Sequence, residues 1–344
     1  MLERMHGMTQ FDLPLAELEN YRANIRAPSD LHDFWSRTLA DTREHDLDIR
    51  RSVVGNGLRL VRTHDLDFAG FGGSRARAWL HVPADATEAV PAVVQFPGYS
   101  GGRGYPHASL WAEAGYAHLV LDPRGQGWSS GGPGRSTRSA LPDSERGAPG
   151  IMTLGIHDPE SYYYRRLYTD ALRLVEVARS LPLIDASRII VTGISQGGGV
   201  AIAVAALAAW SGIPLIATAP DVPFLCDIER ATTLTERAPY AEITRHLSVW
   251  RDDAAAASRT LPYFDGAVLA SFATAPALFS VALRDGTCPP STVFAAYNAY
   301  GSHAPSGPPP KRIVVYPHND HEGGGGAQID EQLRWFAERV GRDD

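Results

Sequence analysis

The sequence has 344 residues, of which 44% are hydrophobic and 9% aromatic, enough to bury a sizeable core. The formal net charge of −7 comes from acidic residues spread along the chain, which argues against a nucleic-acid partner. No apolar run is long enough to span a membrane, and residues 1–8 show no signal-peptide pattern. The two cysteines, Cys226 and Cys288, suggest neither a disulfide framework nor a zinc site, so we expect a cytoplasmic protein.

The first third of the chain predicts helices followed by strands. Apolar residues recur at helical spacing within residues 9–45, so residues 1–50 are expected to form a helical N-terminal extension. Short apolar stretches separated by glycine- and proline-containing turns then predict strands at about 58–68, 75–82, 92–96 and 117–122.

A glycine-rich turn at residues 97–102 follows the third of these strands. A helix predicted at about 107–114 comes next, so this stretch is typical of a right-handed βαβ unit in a parallel sheet. Ligands bind at the carboxyl ends of the strands in such sheets, which makes the backbone N–H of Tyr99 a candidate donor to a bound anion. A purely structural turn is the alternative.

Residues 126–160 are dense in glycine, serine and proline and are too long for an ordinary connection. Loops of this length are commonly functional lids or interfaces, so we expect an insertion here. A helix is predicted at about 161–180, and the next strand leads into the most informative stretch of the chain.

That stretch is an apolar run that ends in the sequence GISQG at residues 193–197, followed by a helix-prone segment. Strand, Gly-x-Ser-x-Gly turn and helix are typical of a nucleophile elbow, in which small residues let the strand and helix approach closely. Ser195 is the predicted nucleophile. The backbone N–H of Gln196 lies at the positive end of the predicted helix, where it can stabilise an oxyanion.

A serine nucleophile needs a base and an acid that orients the base, and both follow later strands in elbow folds. Asp285 follows a strand predicted at about 275–283, and His321 follows one predicted at 311–316. The spacing leaves rivals open, namely Asp265 and Asp320 for the acid, and His303 and His318 for the base. Residues 221–265 show no strand pattern and are expected to form a helical insertion over the site.

A metal-dependent reaction is a further alternative, because His318, Asp320, His321 and Glu322 are close in sequence. Such a site needs side chains that converge on one ion and leave a position open for water. These candidates are crowded into one loop and would leave Ser195 without a role, so we expect no metal and no cofactor.

Several separated motifs together resemble the acetyl xylan esterase/cephalosporin C deacetylase family, carbohydrate esterase family seven of the α/β-hydrolase superfamily. They are RGQ at 124–126, GISQG at 193–197, DGTCPPSTVFAAYN at 285–298 and HE at 321–322. FDLPL at 11–15 and YYYRR at 162–166 extend the resemblance over nearly the whole chain.

The resemblance implies an α/β-hydrolase fold, with a mostly parallel, doubly wound sheet in a single domain spanning residues 1–344. It implies Ser195 as nucleophile, His321 as base, Asp285 as acid, and the backbone N–H groups of Tyr99 and Gln196 as the oxyanion hole. One departure is visible: the family usually has histidine where this chain has Pro97, so any hydrogen bond from that histidine is missing. The RGQ motif is expected to hold the loops around the site.

The function implied is cofactor-free removal of acetyl groups from xylo-oligosaccharides and cephalosporin C by a homo-hexameric serine esterase. Two alternatives remain from the sequence alone. One is another elbow hydrolase, such as a peptidase or an esterase for longer acyl chains. The other is a non-catalytic binding protein with the same fold, although the presence of Ser195, Asp285 and His321 argues against it.

Overall fold

The computed structural model describes residues 11–129 and 150–341. Its centre is a nine-stranded sheet with the strand order β1-β2-β3-β5-β4-β6-β7-β8-β9. The strands are β1 (Arg50–Val54), β2 (Val61–Ala69), β3 (Arg75–Pro83), β4 (Val90–Phe96), β5 (Ala117–Asp122), β6 (Ile184–Ile194), β7 (Ala217–Asp221), β8 (Ala277–Ala282) and β9 (Lys311–Tyr316).

Strands β1, β2, β3 and β5 pair antiparallel in that order, and the pairs from β5 through β4 to β9 are parallel. The parallel pairing of β4 with β5 confirms the predicted βαβ arrangement. All the parallel strands end on the same edge of the sheet, so the loops that follow β4, β6, β7, β8 and β9 meet there.

Eleven α-helices are assigned within the described residues. They are α1 (Leu15–Leu18), α2 (Leu31–Arg43), α3 (Leu110–Glu113), α4 (Tyr163–Ser180), α5 (Gln196–Trp210), α6 (Ile228–Leu234), α7 (Tyr240–Val249), α8 (Ala254–Thr260), α9 (Gly266–Leu269), α10 (Pro290–Ala299) and α11 (Gly325–Arg339). Among the described residues, no helix combines the length and apolarity needed to cross a bilayer.

Helices cover both faces of the sheet. Because side chains alternate between the faces along each strand, neighbouring residues of one strand pack into different cores. On β4, Val94 packs into the larger core with α4 and α5, whereas its neighbour Val93 packs into a second core. Trp111 of α3 and Phe336 of α11 belong to that second core. Helix α5 is buried from Gln196 to Ala208, which explains its uniformly apolar and small-residue sequence.

The N-terminal helices pack against the larger core, beside α4. Trp35 of α2 is fully buried and stacks on Tyr168 of α4 at a ring-centroid distance of 6.0 Å. The Tyr21 hydroxyl donates a hydrogen bond of 2.7 Å to Asp227. Residues 11–43 therefore contact the layer around α4 as well as the segment that precedes α6.

Some elements differ from the sequence-based expectation. The helix expected at about 107–114 is a single turn, α3, and both the edge strand β1 and the helix α10 were not predicted. Helix α10 begins at the second residue of a Pro-Pro pair. Such a pair predicts a turn, but proline is well tolerated in the first turn of a helix. Much of the predicted insertion at 126–160 falls on residues 130–149, outside the described residues. The division of 1–344 into one domain with an extension and insertions stays a prediction.

Backbone crowding at the turn after β6 gives the first prediction. A Cβ on Gly197 would lie 1.8 Å from the carbonyl oxygen of Phe96, so Gly197→Ala should destabilise the fold by about 3 kcal/mol or more. A Cβ on Gly326, in α11, would meet nothing within 4 Å. Gly326→Ala should therefore raise the free energy of unfolding by up to about 1 kcal/mol.

Urea unfolding of both variants and the parent protein measures this difference. Equal stability of Gly197→Ala and the parent protein would contradict the close packing of the turn against β4.

Candidate active site

Ser195 lies on a strained turn between β6 and α5. Its φ and ψ angles are 58° and −120°, a conformation that a non-glycine residue rarely adopts. Gly193 is also tightly enclosed, since a Cβ there would lie 2.5 Å from the Phe96 carbonyl oxygen. The sequence therefore forms the predicted elbow because these two positions carry no side chain.

Hydrogen bonds fix the backbone of Ser195 on both sides. Its N–H donates to the carbonyl oxygen of Asp221 at 2.9 Å, and its carbonyl oxygen accepts from the N–H of Phe224 at 2.9 Å. The side chain is only 7% exposed. These contacts offset the strain of the turn and hold the hydroxyl at the carboxyl edge of the sheet.

His321 lies between Ser195 and Asp285. Its Nε2 atom is 2.9 Å from Ser195 Oγ, and its Nδ1 atom is 2.8 Å from Asp285 Oδ2. Asp285 is fully buried, and its Oδ1 atom accepts hydrogen bonds of 2.8 Å from the N–H groups of Thr287 and Cys288. The carboxylate is thus oriented by the turn that follows β8 and directs the imidazole toward Ser195.

The loop that carries His321 is attached to the loop that carries Asp285. The N–H of Arg284 donates to the carbonyl oxygen of Asn319 at 3.1 Å, and the N–H of Gly286 donates to Asp320 Oδ1 at 3.1 Å. Asp320, a rival for the acid, therefore links the two loops. Its carboxylate also pairs with Arg237 at 3.1 Å.

The other rivals have different contacts. Asp265 caps α9 through the N–H of Ala267 and accepts further hydrogen bonds from the N–H groups of Asp227 and Ile228. Burial raises the pKa of Asp265 to about 7. The ring of His303 lies 3.1 Å from the hydroxyl of Ser271. No hydrogen bond joins Asp265, His303 or His318 to Ser195 within the described part of the chain.

The side chain of Gln126 connects the loop of Tyr99 with Gln196 at the start of α5, and these two residues carry the candidate oxyanion donors. Gln126 Oε1 accepts a hydrogen bond of 2.7 Å from the N–H of Ser100, next to Tyr99. Gln126 Nε2 donates to the side chain of Gln196 at 3.0 Å and to the hydroxyl of Tyr163 at 2.8 Å. The backbone N–H groups of Tyr99 and Gln196 donate no hydrogen bond to another described residue.

Arg124, the first residue of the RGQ motif, is bound to Asp170 on α4. Its guanidinium donates two hydrogen bonds of 2.6 Å to the carboxylate of Asp170 on α4, and both side chains are buried. A bidentate pair of this kind fixes direction as well as distance. Sequence reasoning did not identify Asp170, because nothing in its helical surroundings marks it as the partner of a residue 46 positions earlier.

Glu242 is another residue near the site that the sequence did not reveal. The Tyr99 hydroxyl lies 2.9 and 2.8 Å from its two carboxylate oxygens, which share the one hydroxyl proton. Burial raises the pKa of Glu242. The carboxylate therefore holds the Tyr99 side chain against α7, while Gln126 holds the following residue. These two contacts hold the turn at residues 97–102, in which this chain has Pro97.

One group of potential metal ligands is found within the described residues, and it overlaps the site. The ligand atoms of Asp285, Cys288 and His321 lie within 4.8 Å of one another. Both oxygens of Asp285 already accept hydrogen bonds, and burial raises the pKa of the Cys288 thiol, which favours the uncharged form. The cluster suggested by the sequence, with His318, Asp320 and Glu322 around His321, is not such a group within residues 11–129 and 150–341.

A sequence model of the acetyl xylan esterase family matches residues 8–339. The chain belongs to the acetyl xylan esterase family. This membership confirms the predicted resemblance and the predicted class of carboxylic ester hydrolase with a serine-based mechanism.

Solved structures support the same assignment. An acetyl xylan esterase from Paenibacillus sp. R4 is 35% identical, with a TM-score of 0.85 over 95% of this chain and 99% of that one. Acetyl xylan esterase 1 from Thermoanaerobacterium sp. JW/SL YS485 is 30% identical, with a TM-score of 0.80 over 96% and 99%. The predicted α/β-hydrolase fold is confirmed.

A curated relative is similar over a smaller region. The acetyl esterase Axe7A of Xylanibacter ruminicola is 27% identical over 173 residues, which are 50% of this chain and 36% of that protein. The matched region thus spans about a third of the curated relative.

The hydrogen-bonded row of side chains gives the second prediction. In Asp285→Asn, the amide oxygen can still accept the two backbone N–H groups, but the amide nitrogen would face His321 Nδ1 and favour the wrong imidazole tautomer. The kcat for p-nitrophenyl acetate should fall about 10⁴-fold.

Asp265→Asn is the matched control, since Asp265 is equally buried and caps a helix. We expect it to change stability and to leave kcat within about threefold for the folded protein. A larger loss of kcat in Asp265→Asn than in Asp285→Asn would reverse the assignment of the acid.

Proposed function

We propose that this protein is a serine esterase that removes acetyl groups from acetylated xylo-oligosaccharides and from cephalosporin C-type esters. The observation that carries the proposal is the continuous hydrogen-bonded row from Ser195 through His321 to Asp285, with distances of 2.9 and 2.8 Å. Membership of the acetyl xylan esterase family supports the choice of the acetyl ester.

In the proposed acylation step, His321 Nε2 takes the proton of Ser195 as Oγ attacks the acetyl carbonyl carbon. Asp285 stabilises the imidazolium through Nδ1–H and keeps the ring in the productive orientation. The imidazolium then gives the proton to the departing alcohol of the sugar or the cephalosporin, and an acetyl group remains on Ser195.

The negative charge that develops on the carbonyl oxygen is assigned to the backbone N–H groups of Tyr99 and Gln196. Gln196 is the first residue of α5, so its N–H lies at the positive end of a helix. Two preorganised donors of this kind supply several kcal/mol of transition-state stabilisation. Water then attacks the acetyl-enzyme with His321 as base, and acetate leaves. The proposed sequence requires no metal and no cofactor.

We also propose a cytoplasmic homo-hexamer. Two buried, unpaired thiols, Cys226 and Cys288, suit a reducing compartment. Exposed apolar side chains at Val53, Leu60 and Trp250 are 78%, 80% and 62% exposed and suit contacts between subunits. Light scattering that reports only monomers at micromolar concentration would reject the hexamer.

The third prediction concerns substrate choice. Acetate release from acetylated xylotriose and from cephalosporin C should be measured side by side, with a p-nitrophenyl ester series from acetyl to octanoyl. Membership of the acetyl xylan esterase family favours a small acyl group, so we expect kcat/KM to fall about a hundredfold or more from acetyl to octanoyl. Ser195→Ala should lower kcat about 10⁶-fold on every substrate while the protein stays folded.

Each alternative function has its own result in this experiment. Equal kcat/KM for acetyl and octanoyl esters would favour an esterase for longer acyl chains. Faster cleavage of an aminoacyl anilide than of any ester would favour a peptidase. No turnover of any substrate by the folded protein would favour a binding role.

A further inference from the structure

His321 is followed by a backbone turn made of glycines, called the glycine turn below. Gly323, Gly324 and Gly325 have φ angles of 60°, 87° and 51°, so three consecutive residues are in the left-handed region. This turn is closely packed, because a Cβ on Gly324 would lie 2.2 Å from the ring of Tyr316 and one on Gly323 would lie 3.1 Å from Val222. The position of α11 therefore bears on the position of His321, in addition to the backbone contacts that hold the same loop to Arg284 and Gly286.

Helix α11 begins at the end of this glycine turn and is held by two buried amides. Gln328 and Gln332 are each 3% exposed, and because they are four residues apart they lie on the same face of the helix. Gln328 Nε2 donates to Asp221 Oδ1 at 2.7 Å, and Gln332 Nε2 donates to Asp221 Oδ2 at 2.7 Å. One carboxylate thus binds the first two turns of α11.

The same residue is attached to the elbow. Asp221 is the last residue of β7, its backbone lies opposite Ile194 in the sheet, and its carbonyl oxygen accepts the N–H of Ser195 at 2.9 Å. The next residue, Val222, packs against the glycine turn, since a Cβ on Gly323 would be 3.1 Å from its methyl groups. Asp221 therefore connects the backbone of Ser195 to the helix that follows His321.

We propose that Asp221 is a positioning residue that fixes α11, and through it His321, relative to Ser195. The inference rests on the proposed function of the triad, in which neither Asp221 nor the two glutamines takes part. Each carboxyl oxygen of Asp221 accepts one N–H donor, so a single buried side chain fixes two points of α11. The surrounding protein raises the pKa of Asp221 to about 7 because of burial, as expected for a carboxyl enclosed by uncharged partners.

The donor and acceptor pattern distinguishes two substitutions. In Asp221→Asn, the amide oxygen can accept from Gln328, and the amide nitrogen can donate to Gln332 after that side chain rotates its own amide. Gln332 Oε1 is available for this because it accepts no hydrogen bond from another described residue. Asp221→Ala loses both contacts. Glu331→Gln is the matched control on the same helix, because Glu331 forms its hydrogen bonds with Arg312 and Arg334 at the surface and forms none with Asp221.

The test uses the full chain and three readouts. These are kcat and KM for p-nitrophenyl acetate, the rate at which a fluorophosphonate labels Ser195, and hydrogen exchange of peptides covering residues 317–326. For Asp221→Ala we expect kcat and the labelling rate to fall about tenfold or more, KM to stay within about twofold, and exchange to increase. Asp221→Asn and Glu331→Gln should stay within about threefold of the parent protein in every readout.

A kcat for folded Asp221→Ala within twofold of the parent would overturn the proposal, as would equal losses in Asp221→Ala and Asp221→Asn. If Asp221→Ala does not fold, Gln332→Leu removes one of the two contacts, and an unchanged kcat and exchange there would also overturn it. Hydrogen exchange does not depend on catalysis. A parent protein that fails to label at Ser195 would therefore count against the proposed function, whereas unchanged exchange in Asp221→Ala would count against the positioning role.

Discussion

The close approach of β4 to the turn after β6 is the constraint on which the site depends. The Phe96 carbonyl oxygen would lie 2.5 Å from a Cβ of Gly193 and 1.8 Å from a Cβ of Gly197, so the strand and the start of α5 approach this closely only because both residues are glycine. Ser195, between them, has a positive φ of 58°. The same contact brings the loop with Tyr99, which follows Phe96, beside the N-terminus of α5.

The parallel sheet brings together residues that are far apart in sequence. Tyr99, Ser195, Asp221, Asp285 and His321 each lie at or after the carboxyl end of a parallel strand. Local contacts then fix the side chains: two backbone N–H groups orient Asp285, Gln126 joins the two candidate oxyanion loops, and Asp170 holds Arg124. Most of these contacts are buried, where an unpaired polar group would cost about 1–3 kcal/mol.

Sequence reasoning predicted the features that depend on local pattern. The strand, glycine turn and apolar helix around Ser195 are one continuous signal, and the family motifs identified the fold and placed Asp285 and His321 ahead of their rivals. Those two assignments did not follow from spacing alone, since Asp265 and Asp320 also lie in loops near later strands. The hydrogen bonds of His321 to Ser195 and Asp285 favour these two candidates, whose catalytic roles stay a prediction.

The residues that the sequence did not reveal are those whose partners are distant in the chain. Glu242 contacts Tyr99 from a helix, Asp221 contacts α11, and neither has a motif around it that reports the pairing. Strand β1 was missed because four of its five residues are exposed and it shows no inward-facing apolar alternation.

The most direct test of the account is to isolate the acetyl-enzyme. Turnover of p-nitrophenyl acetate would be quenched rapidly with acid, the protein digested, and the peptides weighed by mass spectrometry. The account predicts one acetyl group on the peptide that contains Ser195, formed as fast as the first equivalent of nitrophenol is released. Steady turnover with no acetylated peptide, or acetyl transfer to another side chain such as Cys288, would contradict it.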